Sequence, residues 1–322
     1  MSDNVNTTMN ATQSSSCPSN STVEKIGTIF AYCLIFLVSL AGNTVIGIIV
    51  FKTQTMRKPI NFFIVNMAMS DIMLPIFKIP QLIQILYIDS WMIDGPLGEA
   101  LCKLVYFLIG VSLLVSIQSL VLIAVDRFGA VVFPLRSPLI SSKLCPFFII
   151  ASWIVALAVN SPKLLIFKLV KYPEKLVCKR RWNEVFGESS SQKNYLLSFT
   201  VVFMFIPLVL IAILYIIIYL KLKSQKIPGE QSANAGQQRQ QRERNVLKMA
   251  IAIVLGFAMC WLPLAIWLIL LMFTDIIIWS NCAFRYLFYF VNFMALVNCA
   301  INPCICFIFS RNYRKKHKAL VR

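Results

Sequence analysis

Seven stretches of this 322-residue chain extend for about twenty residues or more with almost no charged side chain. Six of them contain no Asp, Glu, Lys or Arg, and the second contains only Asp71 and Lys78. A helix of this length crosses the roughly 30 Å of hydrocarbon in a bilayer and pairs its backbone groups within the segment. The pattern therefore predicts an all-α integral membrane protein with a seven-helix bundle over residues 26–308. The expected spans are about 26–52, 59–88, 102–131, 143–167, 194–222, 243–274 and 283–308.

The composition excludes a soluble protein and a nucleic-acid-binding one. Hydrophobic residues make up 58% of the chain and charged residues only 14%, against roughly 25% charged residues in soluble domains. The net charge of +18 suits the anionic lipid of an inner membrane leaflet. We expect no contact with nucleic acid.

The two ends of the chain are expected on opposite sides of the plasma membrane. Residues 1–25 are rich in Ser, Thr and Asn and contain the glycosylation sequons of Asn6, Asn10 and Asn20, which predict an extracellular tail. The excess of Lys and Arg on the other side agrees with this orientation. Residues 309–322 alternate basic and apolar side chains, so we expect a cytoplasmic amphipathic helix on the lipid surface.

Four cysteines are expected to face the oxidising, extracellular compartment, where disulfides form. They are Cys17, Cys102, Cys178 and Cys282. We favour the pairs Cys102–Cys178 and Cys17–Cys282, although the spacing of the cysteines does not by itself fix the connectivity.

Polar residues within the apolar stretches predict a polar centre in the bundle. Asp71 lies in the middle of the second stretch, and Asn43, Ser112, Ser116, Asn298 and Asn302 occur at similar depth. A carboxylate among such oxygens suits a small hard cation, and a protonated Asp in a hydrogen-bonded cluster is the alternative. Five prolines in or beside the stretches are each expected to kink a helix: Pro80, Pro162, Pro207, Pro263 and Pro303.

A series of short motifs resembles the rhodopsin-like family of G-protein-coupled receptors, over residues of about 26–318. Each motif is weak alone, but their order and spacing together are specific. In chain order they are GNTVIG at 42–47 with Asn43, NMAMSD ending at Asp71, DRF at 126–128, Trp153, Pro207 with Tyr215, FAMCWLP at 257–263 and NCAINP at 298–303.

The resemblance implies roles for residues at the cytoplasmic side and in the polar centre. It implies an allosteric sodium site at Asp71, Ser116, Asn298 and Asn302, and no other cofactor. Arg127 would be held by Asp126 and by Glu243 until activation frees it. Heterotrimeric G proteins and arrestin would be the cytoplasmic partners. The coupling and switch residues implied are Asp126, Arg127, Phe128, Leu135, Tyr215, Glu243, Phe257, Pro263 and Pro303.

Two residues depart from the family pattern. Phe128 replaces the Tyr of the Asp-Arg-Tyr motif, which is a mild change. Cys306 replaces the Tyr of the Asn-Pro-x-x-Tyr motif, and a thiol is too short and too weak a donor to take over the role of a phenol. This second change concerns the strength of activation and not the fold.

The ligand class follows from further residues. Amine receptors of the family carry an Asp where this chain has Ile109, and opsins carry a Lys where it has Leu296. The sequence DRFGAVVFPLR, Pro80 and the long loop around Cys178 resemble peptide receptors, which implies an extracellular neuropeptide as the ligand. The expected pocket residues are Lys78, Gln81, Gln84, Tyr106, Ile109, Phe288 and Asn292 over Trp261.

Other functions stay open to different degrees. A receptor of the same fold for a lipid or a small organic acid would also use Lys78 and the basic outer loop, which favour an acidic group on the ligand. A transporter or channel would need a continuous polar path, which the spans do not show below Asp71. An enzyme is not expected, because the single histidine, His317, lies in the basic tail and no metal or nucleophile–base motif occurs.

Overall fold

The computed structural model describes residues 22–88, 90–134, 139–187, 191–224, 233–273 and 282–321. Within these ranges the side chains of residues 233–240, 242–246, 271–273, 282–285 and 320–321 are not described. The three sequon asparagines, Cys17 and Leu135 lie outside the described residues, and so do the side chains of Cys282 and Glu243.

Seven helices of the described chain are long and apolar enough to cross a membrane, which confirms the predicted fold. The fourth and fifth spans are each built from two helical segments. The helices are α1 (Thr22–Lys52), α2 (Pro59–Tyr87), α3 (Gly95–Val132), α4 (Cys145–Asn160), α5 (Lys163–Ile166), α6 (Trp182–Phe186), α7 (Gln192–Thr200), α8 (Ile206–Ser224), α9 (Ala233–Phe273), α10 (Cys282–Phe309) and α11 (Arg311–Val321).

Two spanning helices begin well before the residue that hydrophobicity predicts. α3 begins at Gly95 instead of near residue 102, because the Asp94 side chain caps it by accepting a hydrogen bond of 2.7 Å from the Gly95 amide. α9 begins at Ala233, ten residues before the predicted start at 243. Capping and helix-forming polar residues extend both helices beyond the apolar run.

The five prolines occupy different positions relative to the helices. Pro80, Pro263 and Pro303 lie inside continuous helices, whereas Pro162 lies in the break between α4 and α5. Pro207 follows a π-helical turn over Val201–Phe205, which joins α7 to α8 and is closed by the Ile206 amide donating to the Val201 carbonyl. The fifth span therefore contains one wide turn. Pro207 fits next to this turn because proline has no backbone N–H group that needs a hydrogen-bond acceptor.

Buried amide side chains connect the helices in the bundle core. Asn66 of α2 donates to Ser119 of α3 at 2.9 Å and to Ser152 of α4 at 3.2 Å. The indole of Trp153 donates to Asn66 Oδ1 at 2.8 Å. In α1, Asn43 donates to the carbonyl of Cys299 in α10 at 2.9 Å. These bonds fix the relative positions of five helices, because each would leave a buried polar group unpaired if it broke.

A two-stranded antiparallel hairpin covers one end of the bundle. Its strands are β1 (Phe167–Lys171) and β2 (Leu176–Arg180). The predicted disulfide between Cys102 and Cys178 ties β2 to α3. We refer to this end as the hairpin end.

The opposite end, called the α11 end, carries the short helix predicted after the last span. Tyr313 of α11 is 1% exposed, and its hydroxyl donates to Asn61 Oδ1 at 3.2 Å. Asn61 in turn donates to the Met56 carbonyl at 2.7 Å. One aromatic side chain thus anchors α11 to the start of α2.

Candidate functional site

A cavity of about 600 Å³ lies between the hairpin and Trp261. Six of the predicted pocket residues line it: Lys78, Tyr106, Ile109, Trp261, Phe288 and Asn292. Gln81 and Gln84 do not. They line a second cavity of about 450 Å³, which shares Tyr106, Cys178 and Lys179 with the first. The hairpin that the disulfide holds against α3 separates the two spaces, which helix periodicity alone could not reveal.

Aromatic side chains form much of the wall of the first cavity. Tyr106 of α3 stacks on Phe167 of the hairpin, with 3.9 Å between ring centroids. Tyr195 and Phe199 follow each other along α7 at the spacing of one helical turn, with their centroids 6.2 Å apart. Trp261, only 4% exposed, forms the floor, and Phe257 lies one turn below it at 6.0 Å. The base of the cavity is therefore aromatic and apolar.

Four basic side chains line the same cavity: Lys78, Lys163, Lys179 and Arg180. Lys163 was missed in the sequence, where it simply ends the fourth apolar stretch. The only available signal was the preceding Pro162, which breaks the helix and turns Lys163 towards α3. Burial lowers the pKa of the Arg180 guanidinium from its usual value.

Gly110 makes room for Lys163 in the wall of α3. A Cβ atom built on Gly110 would lie 2.0 Å from Lys163 Nζ and 2.1 Å from Asn160 Oδ1. Lys163 Nζ also lies 5.4 Å from the centroid of the Phe199 ring. The ammonium group is thus held between a bare helix backbone and an aromatic face.

Asp71 is the centre of the polar cluster at mid-bundle. Its side chain is 2% exposed and accepts hydrogen bonds from Ser116 at 2.9 Å and from Asn302 Nδ2 at 2.7 Å. The Oδ1 atoms of Asn298 and Asn302 are buried and have no hydrogen-bond partner among the described residues. Asn298 is also buried in the bundle, but no hydrogen bond joins its side chain to Asp71 among the described residues.

These oxygen atoms are of the chemical type that the sodium site implied by the family resemblance requires. A carboxylate, a hydroxyl and two unpaired amide oxygens are hard ligands of the type that small cations prefer. The carboxylate of Asp71 would supply the charge, and the amides would complete the coordination by turning their free oxygens inward.

At the α11 end, Arg127 forms an ion pair with the neighbouring Asp126. Its Nε also donates to Asp126 Oδ2 at 3.1 Å. Phe128 packs edge-on against Phe133 at 5.9 Å. The structure thus shows one of the two contacts expected for Arg127, the ion pair with Asp126. The second expected partner is Glu243, whose side chain is not described.

Other predicted switch residues lie in the core below the cavity. Tyr215 of α8 is 7% exposed, and its hydroxyl has no hydrogen-bond partner in the described part of the chain. Cys306 is fully buried. A Cβ atom built on Gly42 would lie 2.7 Å from Pro303 Cβ, so α1 and α10 pack closely at this proline.

Comparison with known proteins agrees with this arrangement. The model of the family "7 transmembrane receptor (rhodopsin family)" matches residues 42–305. A QRFP-like peptide receptor of Branchiostoma floridae is 30% identical over 305 residues, which cover 92% of this chain and 78% of the relative. The neuropeptide FF receptor 1 of Homo sapiens is 31% identical over 308 residues, which cover 91% and 70%.

A third relative, the RYamide receptor of Drosophila melanogaster, is 30% identical over 296 residues, which cover 89% of this chain and 61% of the relative. The family match confirms that the molecule is a receptor and not an enzyme. With seven spanning helices, a disulfide-tied hairpin and the ordered motifs, the chain belongs to the rhodopsin-like family of G-protein-coupled receptors.

Proposed function

We propose that this receptor binds an extracellular peptide at the hairpin end and activates heterotrimeric G proteins at the α11 end. The cavity between the hairpin and Trp261 is the observation that carries the proposal. It places aromatic side chains directly above the core that contains Asp71 and Tyr215. A ligand seated there would contact α3, α7, α9 and α10 together.

The names of the relatives support a peptide as the ligand. Those of Branchiostoma floridae and Homo sapiens are named as a peptide receptor and a neuropeptide receptor. The β-hairpin adds a polar backbone edge and basic side chains at the mouth, which suit an extended chain of several residues.

The orientation proposed here puts the N-terminus outside the plasma membrane and α11 in the cytoplasm. The tail sequons and the basic character of α11 support it. Anionic inner-leaflet lipid would bind the basic face of α11, and arrestin would use the same end as the G protein. Sodium would act as an allosteric ligand at Asp71.

A receptor for a lipid or a small organic acid is the second candidate. The cavity favours it in one respect, because apolar walls and four basic side chains suit an amphipathic anion. The two candidates differ in the length of ligand that the hairpin end must accommodate.

Ligand-dependent nucleotide exchange distinguishes these possibilities. The purified receptor in lipid nanodiscs is mixed with heterotrimeric G proteins and with pools of short peptides, and GTP analogue uptake is measured. We expect at least one peptide pool to accelerate exchange, and Arg127→Ala to abolish the acceleration without preventing peptide binding. Acceleration by fatty acids or small carboxylic acids but by no peptide pool would overturn the peptide assignment in favour of the second candidate.

A further inference from the structure

We propose that the cavity recognises its ligand through a carboxylate group, which Lys163 and Arg180 bind together. This inference rests on the proposed function, since it assigns the chemistry of the ligand of that site. The carboxylate can belong to a peptide C-terminus or to an acidic side chain, which offer the same pair of oxygen atoms.

Lys163 and Arg180 converge from two different elements. Lys163 projects from α5 across Gly110, and Arg180 projects from β2 with its Cζ atom 5.8 Å from the centroid of the Phe167 ring. Both side chains line the same cavity. Two positive charges that face one space repel each other, and a group of opposite charge between them would relieve this repulsion.

Neither cation has a carboxylate within ion-pair distance among the described residues, and the same holds for Lys78. Three acidic side chains at the hairpin end pair with lysines that do not line the cavity. These pairs are Glu99 with Lys103 at 2.6 Å, Asp94 with Lys171 at 3.2 Å and Glu184 with Lys168 at 2.9 Å.

Further groups in the wall are hydrogen-bond donors without a partner. The indole of Trp261 can only donate, and the hydroxyl of Tyr195 can donate as well. Both are buried and have no hydrogen-bond partner in the described part of the receptor. A cavity with surplus cations and surplus donors calls for a ligand rich in acceptors, and a carboxylate supplies up to four lone-pair sites.

Leaving charged groups partly buried and unpaired is costly in a membrane protein. A carboxylate ligand would offset this cost on binding, whereas a cationic group would add to it. We therefore expect the charge of a ligand to affect its affinity for the cavity more strongly than its shape does.

A pair of small probes tests the inference without knowledge of the natural ligand. N-acetyl-L-phenylalanine and N-acetyl-L-phenylalaninamide differ only in the carboxylate, and both carry a ring for the aromatic wall. Their binding to the receptor in nanodiscs is measured by saturation-transfer NMR. We expect the acid to bind with a Kd of the order of 1 mM and the amide at least about tenfold more weakly.

Variants locate the effect. In the double variant Lys163→Gln/Arg180→Gln, we expect the acid to bind no better than the amide. The single variant Lys163→Arg keeps the positive charge and should keep the preference for the acid. Lys103→Gln is the matched control, because Lys103 is a hairpin-end lysine that pairs with Glu99 outside the cavity, and it should leave the preference unchanged. Thermal unfolding of each variant verifies that it folds.

Three results would overturn the inference: equal binding of acid and amide, no binding of either, or a preference that survives in the folded double variant. None of these results depends on nucleotide exchange. Peptide pools that fail to trigger exchange while the acid preference persists would refute the peptide function and leave the carboxylate subsite standing.

Discussion

At the scale of single residues, Asp71 is a buried side chain with hydrogen-bond donors on two neighbouring helices. It is buried, negatively charged when it binds a cation, and held by hydrogen bonds from α3 and α10. A carboxylate in this position gains a partner when sodium enters, so sodium would stabilise the state that contains the polar cluster.

The first prediction concerns this stabilisation. Sodium at ten times its Kd should raise the free energy of unfolding by about 1.4 kcal/mol, and Asp71→Asn should remove the increase. Thermal unfolding of the purified receptor in sodium chloride and in choline chloride measures the effect. Asp94→Asn is the control, because Asp94 is exposed at the hairpin end. An unfolding temperature of the wild type that is equal in both salts would contradict the site.

At the scale of the helix, the close contact between α1 and α10 depends on Gly42, which has no side chain to separate the two helices. Gly42→Ala would place a methyl group 2.7 Å from the rigid ring of Pro303. We expect overpacking to destabilise the receptor by about 1–3 kcal/mol. Gly47→Ala is a matched control on the same helix, because a Cβ atom there meets nothing within 4 Å. Chemical unfolding in micelles measures both, and equal effects would argue against the tight α1–α10 contact.

α11 gives a second prediction at this scale. Tyr313→Phe leaves the buried Oδ1 atom of Asn61 without a donor, so it should destabilise the receptor by about 1–3 kcal/mol near about pH 8. Unfolding of wild type and variant at this pH measures the difference. A variant as stable as the wild type would show that the hydroxyl does not anchor α11.

The same pair of proteins should behave differently in alkali. Burial raises the pKa of Tyr313 well above its ordinary value. A raised pKa in the folded state contributes stability that is present below the unfolded pKa of about 10 and is lost as the pH rises above it. The gap between wild type and Tyr313→Phe should therefore narrow above about pH 10, by at most about 1.4 kcal/mol per pH unit. A constant gap would contradict the burial of this phenol.

At the scale of the whole molecule, the buried hydrogen bonds are unevenly distributed. Asn43, Asn66 and Asp71 connect α1, α2, α3, α4 and α10. By contrast, the polar atoms of Tyr215 in α8 and Trp261 in α9 have no hydrogen-bond partner among the described residues. Buried oxygens without a partner in the described part of the chain also occur in α10, at Asn298 and Asn302, so this difference alone does not identify the moving elements. We propose, from the family resemblance, that α9 moves between the inactive and the active state.

We propose that the ion pair between Arg127 and Asp126 biases this movement. Asp126→Asn removes the charge but nearly keeps the shape, and Glu243→Gln does the same for the partner implied by the sequence. Each should raise ligand-independent nucleotide exchange about 5- to 30-fold, which corresponds to about 1–2 kcal/mol. Exchange is compared at equal receptor concentration, with Asp94→Asn as the control. Basal exchange at the wild-type level in both variants would rule out the lock.

The sequence predicted the features that depend on one helix at a time. Hydrophobic length gave the spans, and equal depth grouped Asp71 with Ser116 and Asn302. It did not predict features that depend on how elements meet. Lys163 enters the cavity because α4 breaks at Pro162 and α3 has no side chain at Gly110, and neither fact alone indicates a pocket residue. Nor did the sequence separate Gln81 and Gln84, which line the second cavity, from the residues that line the first.

The wide turn at Val201–Phe205 sets the rotational phase between the two halves of the fifth span. Successive residues of a helix differ by about 100° around its axis. A π-helical turn closes between residues i and i+5, one residue later than an α-helical turn, so it holds one extra residue while the flanking helices stay in phase. Changing this turn to α-helical geometry with all its residues kept would therefore rotate α7 by about 100° relative to α8. Tyr195 and Phe199 would then leave the cavity, while Tyr215 kept its place. A substitution that changes the helix type of this turn is thus an evolutionary route by which such a receptor exchanges its ligand while preserving its cytoplasmic surface.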